Sequence, residues 1–446
     1  MMSALKSPLA PCDFKSHGWN RRDAAHLVRR TRFGASHSDI RQALDDGPDA
    51  TIERLLSAQT ESADFIARDA ALRRVALDSA DIADLRAWWA NRMLYSANPL
   101  VEKVALFWHG HFATSNAKVR SVRQMEAQNA LFRRHALGSF RELLHEVARD
   151  VAMLVWLDGN ANRRRQPNEN FARELFELFA LGVGNYSERD IKEAARAFSG
   201  WHVRKGEFWY NSLQHDTGDK TVFGKTDNFD GGDVVDLCLK QDAAPRFLAK
   251  KLLQLFVMQS PPDDAVAELA ACIRENDFAI RPVLRTLFSS AIFFAPESQH
   301  TIIKSPADFV LGTQRTLEAR INLRESVNLM TQLGQSLFEP PTVEGWKGGR
   351  TWINSATMLG RANFAAELTM GNRFGQIAEP AEVAAQFGWH DSHDAVHYYV
   401  ELLLSRDAPP AREAIEDYLA QASGPLSGRL RGIVHLLLTL PEFNLL

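Results

Sequence analysis

The run Pro167-Asn168-Glu169-Asn170-Phe171-Ala172-Arg173-Glu174-Leu175-Phe176-Glu177-Leu178-Phe179-Ala180-Leu181-Gly182 has a helical period. Projected at about 100° per residue, Phe171, Leu175, Leu178 and Phe179 form one apolar face. Asn170, Arg173, Glu174 and Glu177 fall together on the opposite face. Gly182 supplies the stop, and Ser187 with Asp190 three residues on is a capping-box start for a second helix that ends near Phe198. A short connection between two amphipathic helices predicts a helical hairpin, in which the apolar faces must pack on further helices.

Working outward, the same period recurs on both sides. It covers Asp23 to Arg32, Ser38 to Asp45, Thr51 to Gln59 and a long stretch from Ser62 to Tyr95. Asn98-Pro99 opens the next helix, with proline at its first position; Leu100, Val104 and Phe107 share its core face, and His109 and His111 stand at or just past its end. Ser121 to Leu137 and Ser139 to Trp156 come next. After Gly200 the pattern changes: His202 to Arg204, Glu207 to Tyr210 and Thr221 to Phe223 read as short strands around a Lys205-Gly206 turn. Asp227 to Gly232 reads as a polar loop, after which helical periods return, interrupted by an irregular loop from Phe338 to Trp352. The fold class expected is mainly α, a large multi-helix domain over residues 21–372 with a small β insert at about 201–223. An N-terminal tail over 1–20 precedes it, and a C-terminal helical extension over 373–446 lies beyond it, with a joint near Glu379-Pro380.

Composition narrows the function classes. A chain of 446 residues with 45% hydrophobic and 24% charged residues is an ordinary globular composition. Its 52 basic and 55 acidic residues leave a formal charge of −3, so no global field favours nucleic acid or an anionic membrane. The three cysteines, Cys12, Cys238 and Cys272, are too far apart to form a Cys-x-x-Cys pair, which argues against a thiolate zinc site or a disulfide framework. No apolar run approaches the roughly 20 residues needed to span a bilayer. The first residues lack the basic head and the apolar stretch of about 7 to 15 residues that a secretory signal needs, so a cytoplasmic location is expected.

Three constellations could carry chemistry. His109-Gly110-His111 brings two imidazoles close if Gly110 turns the chain, as ligands of one divalent ion or as packed core residues among Trp108, Phe107 and Phe112. Glu177, His215 and Asp216 complete a candidate metal set; the identity of the ion stays open. On the Asn170 helix, Glu169, Arg173 and Glu174 are candidate catalytic groups; Glu174 and Glu177, one turn apart, could share a cation. Without one, a dry carboxyl of the pair would have a raised pKa and act as an acid. His215-Asp216-x-Gly218-x-Lys220 sets an imidazole, a carboxylate and an ammonium in one turn, with Lys220 placed to steady negative charge. Asn170, Trp201, Trp346 and Trp352 are candidate substrate contacts, the indoles as shelves for a sugar ring or a peptide.

The motifs Arg29-Arg30-Thr31-Arg32-Phe33-Gly34, Phe107-Trp108-His109-Gly110-His111-Phe112, Asn168-Glu169-Asn170-Phe171-Ala172-Arg173-Glu174-Leu175, Lys304-Ser305-Pro306 and Val343-Glu344-Gly345-Trp346 occur in that order. Together they resemble the bacterial family catalogued as domain of unknown function 1800, over about Asp23 to Phe364. The resemblance implies a mostly helical protein, often exported, so a periplasmic or exported location is the alternative to the cytoplasmic one. It also implies frequent genetic neighbours of the sulfatase and alkaline-phosphatase superfamily, and hence a candidate protein partner from it. It implies no reaction.

The residues point first to a hydrolase with a His/carboxylate site, metal-assisted or purely carboxylate-based, acting on a small molecule, glycan or peptide. The alternative is a noncatalytic binding or assembly protein working with a partner protein or glycan.

Overall fold

Capping chemistry sets where the helices begin. Ser36 with Asp39, Ser187 with Asp190, Asp230 with Asp233 and Asn354 with Thr357 each close a reciprocal capping box. The computed structural model describes residues 7–371, 379–386, 388, 392–405 and 409–446. They form a mainly helical protein whose sheets, among the described residues, are two antiparallel hairpins. The expected long stretch from Ser62 to Tyr95 is two helices, Ala63–Ser79 and Ile82–Tyr95. Ala80 adopts a left-handed conformation between them and Asp81 caps the second. Asp150 breaks the Ser139 to Trp156 stretch in the same way, its carboxylate accepting from the Met153 amide at 2.8 Å.

The helix Pro99–His111 lies at the centre, packed against Ile82–Tyr95 and Val122–Arg134. Its buried charges are paired. Glu102 is fully buried and accepts from Trp89 Nε1 at 3.0 Å and Arg92 Nε at 2.9 Å, while Lys103 pairs with Asp308 on the helix Pro306–Thr316. Each pair satisfies charges that would be costly if left alone in the core. Ser305 caps that last helix and Pro306 occupies its first turn, which gives the Lys304-Ser305-Pro306 motif its local role.

The hairpin partner Glu188–Ala197 forms as expected, but the segment before it departs from a plain α-helix. Asn170–Glu174 is one α turn, and Leu175–Ala180 is a π turn in which the Phe176 carbonyl accepts from both Leu181 and Gly182 amides at 3.0 Å. The wider turn inserts an extra residue and rotates the rest of the segment about the helix axis. Phe176, placed on neither face by the α projection, is therefore fully buried, whereas Leu178, placed in the core, is only half-buried.

The β insert contains one strand more than expected. β1 (Trp201–Arg204) pairs with β2 (Glu207–Tyr210), Trp201 opposite Tyr210, and β3 (Lys220–Val222) pairs with β4 (Lys225–Asp227). Both hairpins close on a residue followed by glycine, Lys205-Gly206 and Phe223-Gly224, all four with positive φ, the geometry that suits tightly twisted hairpins. The second turn converts the start of the expected polar loop into β4.

One continuous apolar cluster runs from Ala24 to Phe443. At its C-terminal end the helix Leu426–Thr439 lies against Ser355–Met370, and Arg361 donates to Asn444 Oδ1 and to the Lys304 carbonyl, both at 2.9 Å. Residue 373, where the C-terminal extension was expected to begin, lies outside the described residues, as do the first six residues of the expected tail. The tail is docked from Ser7 onward, with Pro11 bridged to Ser290. Among the described residues no helix is long and apolar enough to cross a membrane.

Candidate active site

Glu174 ends the α turn, and Glu177 follows three residues on, inside the π turn. Glu174 is half-buried and makes no hydrogen bond with a described residue; burial pushes its carboxyl above the ordinary value, Glu177 and Glu344 add to the rise, and Arg173 opposes it. Glu177 accepts from the Tyr186 hydroxyl at 2.7 Å. Burial and that bond push the Tyr186 phenol up to about 12, so it remains a donor at neutral pH. The two carboxyl groups thus sit in different surroundings, one half-buried without a hydrogen bond among the described residues and one held by a phenol. Arg173 is not free to serve them. It is clamped between Glu169 at 3.2 Å and Glu188 at 2.8 Å, which also commits Glu169 to an ion pair at the helix start. Asn170 is exposed beside them, its amide donating to Asn168 Oδ1 at 2.9 Å.

The loop bearing Glu344 reaches this surface through a backbone contact. Gly345 has φ +77°, and a Cβ there would lie 2.1 Å from the Gly110 carbonyl oxygen. Gly110 is helical, and a Cβ on it would meet the Trp346 ring at 3.7 Å, an ordinary contact. The Trp346 ring then meets His109 edge-on at 5.4 Å. Lys251, on the helix Ala243–Phe256, is near both His111 and Glu344; burial lowers its pKa, with Lys250 adding to the fall, against a rise from Glu344.

Because Gly110 is helical, His109 and His111 point to opposite sides, about 200° apart, and cannot chelate one ion. His109 Nε2 accepts from the Phe338 amide at 3.0 Å. His111 Nε2 donates to the Phe179 carbonyl at 2.9 Å, while its Nδ1 is buried without a partner among the described residues. Burial lowers both imidazoles to about 3, His111 with help from Lys251. Glu177, His215 and Asp216 do not complete a set around them. Among the described residues no group of three or more His, Cys, Asp or Glu side chains is arranged to hold a metal ion.

The histidine burial has a thermodynamic sign. A histidine neutral in the folded state at pH values where the unfolded chain binds a proton stabilises fully above about pH 6.5, and that stability is lost as pH falls toward 3. His109 and His111 should each remove about 1.4 kcal/mol per pH unit over that range. Urea unfolding at pH 7, 6 and 5 should show this slope, and His109→Gln should reduce it by about one proton. A flat profile would contradict the burial of neutral imidazoles.

The turn of the β insert is also taken up by structure. His215 Nδ1 donates to the Ser199 carbonyl at 2.9 Å. Asp216 is raised by burial, but bonds from Arg196 and the Gly218 amide outweigh that and hold it below the usual carboxylate range. Lys220 is fully buried and donates to Asn228 Oδ1 at 2.8 Å, which corrects its placement as a group steadying substrate charge. Trp201 is buried against Phe198 and Phe208, and Trp352 is buried beside Gly334. Neither offers a shelf. Of the three candidate indoles only Trp346 keeps a partly open face.

Glu344, Tyr186 and Lys251 were not picked out from the sequence. Glu344 stands inside the Val343-Glu344-Gly345-Trp346 motif and could have been found there; Tyr186 lies in the hairpin loop and Lys251 in an unremarkable amphipathic helix, and neither carries a local signal. No curated protein and no solved structure matches the chain. The family description "Protein of unknown function (DUF1800)" matches residues 26–445, past the Phe364 limit of the motif resemblance, and the chain belongs to that family.

Proposed function

We propose that this protein is a hydrolase that works with a carboxylate pair and no metal, on a glycan. The observation that carries the reading is Glu174: a half-buried carboxyl with no hydrogen bond to a described residue and a raised pKa, to which the charge of Glu177 contributes. In this reading protonated Glu174 delivers its proton to the leaving-group oxygen as the glycosidic C–O bond breaks, and Glu177, oriented by Tyr186, takes a proton from the water whose oxygen replaces the leaving group at the anomeric carbon. Trp346 supplies the apolar face on which a sugar ring stacks. A metal-assisted route has less support, because the His109 and His111 side chains diverge.

The test is a panel of aryl glycosides and polysaccharides offered to wild type, Glu174→Gln and Glu177→Gln. Hydrolysis of one member by wild type, reduced about 10²- to 10⁴-fold in kcat by Glu174→Gln at unchanged melting temperature, is the expected result. Equal activity in wild type and Glu174→Gln would sink the assignment. The second reading, a binding or assembly protein, is favoured by Trp209, Tyr210 and Leu213, large apolar side chains left exposed on β2 and the turn after it. Retained glycan or protein binding with no turnover by wild type would favour it.

A further inference from the structure

Two motifs that the carboxylate site does not use meet elsewhere in the fold. On the helix Arg21–Thr31, Arg22, His26, Arg29 and Arg30 fall on one side, and they line a cavity of about 20 Å³ together with His300 and Lys304. That volume, counted as space open to the centre of a water, exceeds what one water needs. No Asp or Glu is among the described residues lining it.

Two of the cations facing the cavity are short of partners. Arg30 is buried, and its Nη2 donates to the Ser298 and Leu446 oxygens, but its Nε and Nη1 are enclosed with no described group to bond. Lys304 is also buried; its ammonium lies 3.6 Å from the centre of the Phe443 ring and makes no hydrogen bond or ion pair among the described residues. Asp308 is the carboxylate whose field reaches Arg30, Lys304 and Arg361. It is already engaged by Lys103 and by the Ser305 hydroxyl at 2.7 Å. Burial keeps His26 neutral, and it donates to the Phe293 carbonyl at 2.9 Å, so it adds no charge of its own. Charges buried with so little counter-charge are strongly unfavourable: burial lowers the Arg30 guanidinium to about 9 and the Lys304 ammonium well below its ordinary value, and an anion seated beside them would favour their charged forms.

We propose that this cavity binds one compact, multiply charged oxyanion, phosphate or sulfate, either free or as the end of a monoester. Lys304 Nζ and the Arg30 guanidinium supply the inner positive groups, while Arg22 and Arg29 stand at the rim. The site is independent of the carboxylate pair, so failure of either proposal leaves the other intact.

Thermal melts in a non-coordinating buffer, with inorganic phosphate, sulfate or chloride at matched ionic strength, test it. Phosphate and sulfate should raise the melting temperature progressively with concentration, and chloride should not. By calorimetric titration with inorganic phosphate, Lys304→Met should weaken the Kd at least about tenfold. Arg22→Gln, a rim substitution that leaves folding intact, should weaken it by a smaller factor, and it serves if Lys304→Met does not fold. Phenyl phosphate bound as well as phosphate would identify a monoester end as ligand; binding of the inorganic ion alone would identify a closed site for the free anion. No response beyond that of chloride, or a response unchanged in both variants, would overturn the proposal, leaving Asp308 as the internal counter-charge.

Discussion

Gly345→Ala should destabilise the protein by about 3 kcal/mol or more and abolish the function of the carboxylate site. An L-residue held near φ +77° costs roughly 1–2 kcal/mol by itself. The added Cβ would also lie 2.1 Å from the Gly110 carbonyl oxygen, a backbone atom of the central helix that cannot swing away as a side chain could. Overpacking of this kind adds about 1–3 kcal/mol. The cheaper response is for the loop to undock, which would carry Glu344 away from Glu174 and Trp346 away from His109. Urea unfolding gives the first quantity, and a red-shifted Trp346 emission, read against Trp346→Phe, gives the second. A loss below about 1 kcal/mol with unchanged emission would mean that the loop is not seated on Gly110.

Phe176→Ala should cost about 3–5 kcal/mol, the range for a fully buried phenylalanine. Leu178→Ala should cost clearly less, about 1–2 kcal/mol, because its side chain is only half-buried. The order of these two values is diagnostic of the π turn. An uninterrupted α-helix would bury Leu178 and turn Phe176 aside, reversing the ranking. Amide exchange at Leu181 and Gly182, which share the Phe176 carbonyl, provides a second reading of the same geometry.

Much of the architecture was legible because helix starts and hairpin turns are local chemistry. Ser187 with Asp190 and Pro99 at a first turn act within a few residues of themselves, and the structure keeps both. The site was legible only in part. Glu174 and Glu177 were identifiable as neighbours from spacing alone, but the π turn between Leu175 and Ala180 was not, since a 100° projection assumes the period that the turn breaks. Gly110 misled for a related reason. Glycine between two histidines permits a turn, yet here it is helical, and its carbonyl is where the distant loop that carries Gly345 seats, a contact no local pattern encodes. Lys220 and His215 carried the right chemistry for catalysis and were taken by bonds to Asn228 and Ser199. Arg30 and Lys304 show the converse: basic residues that stood out in sequence only as parts of two separate motifs line one cavity because two distant segments meet.

The most direct test of the carboxylate site is the titration of Glu174 itself, tracked by carbon-13 NMR of glutamate-labelled protein and assigned by the signal lost in Glu174→Gln. The expected result is a midpoint above the ordinary glutamate value, moving back toward it in Glu177→Gln, where a neighbouring negative charge is removed. A Glu174 midpoint at or below the ordinary value in the wild-type protein, unmoved by Glu177→Gln, would contradict its role as the proton donor.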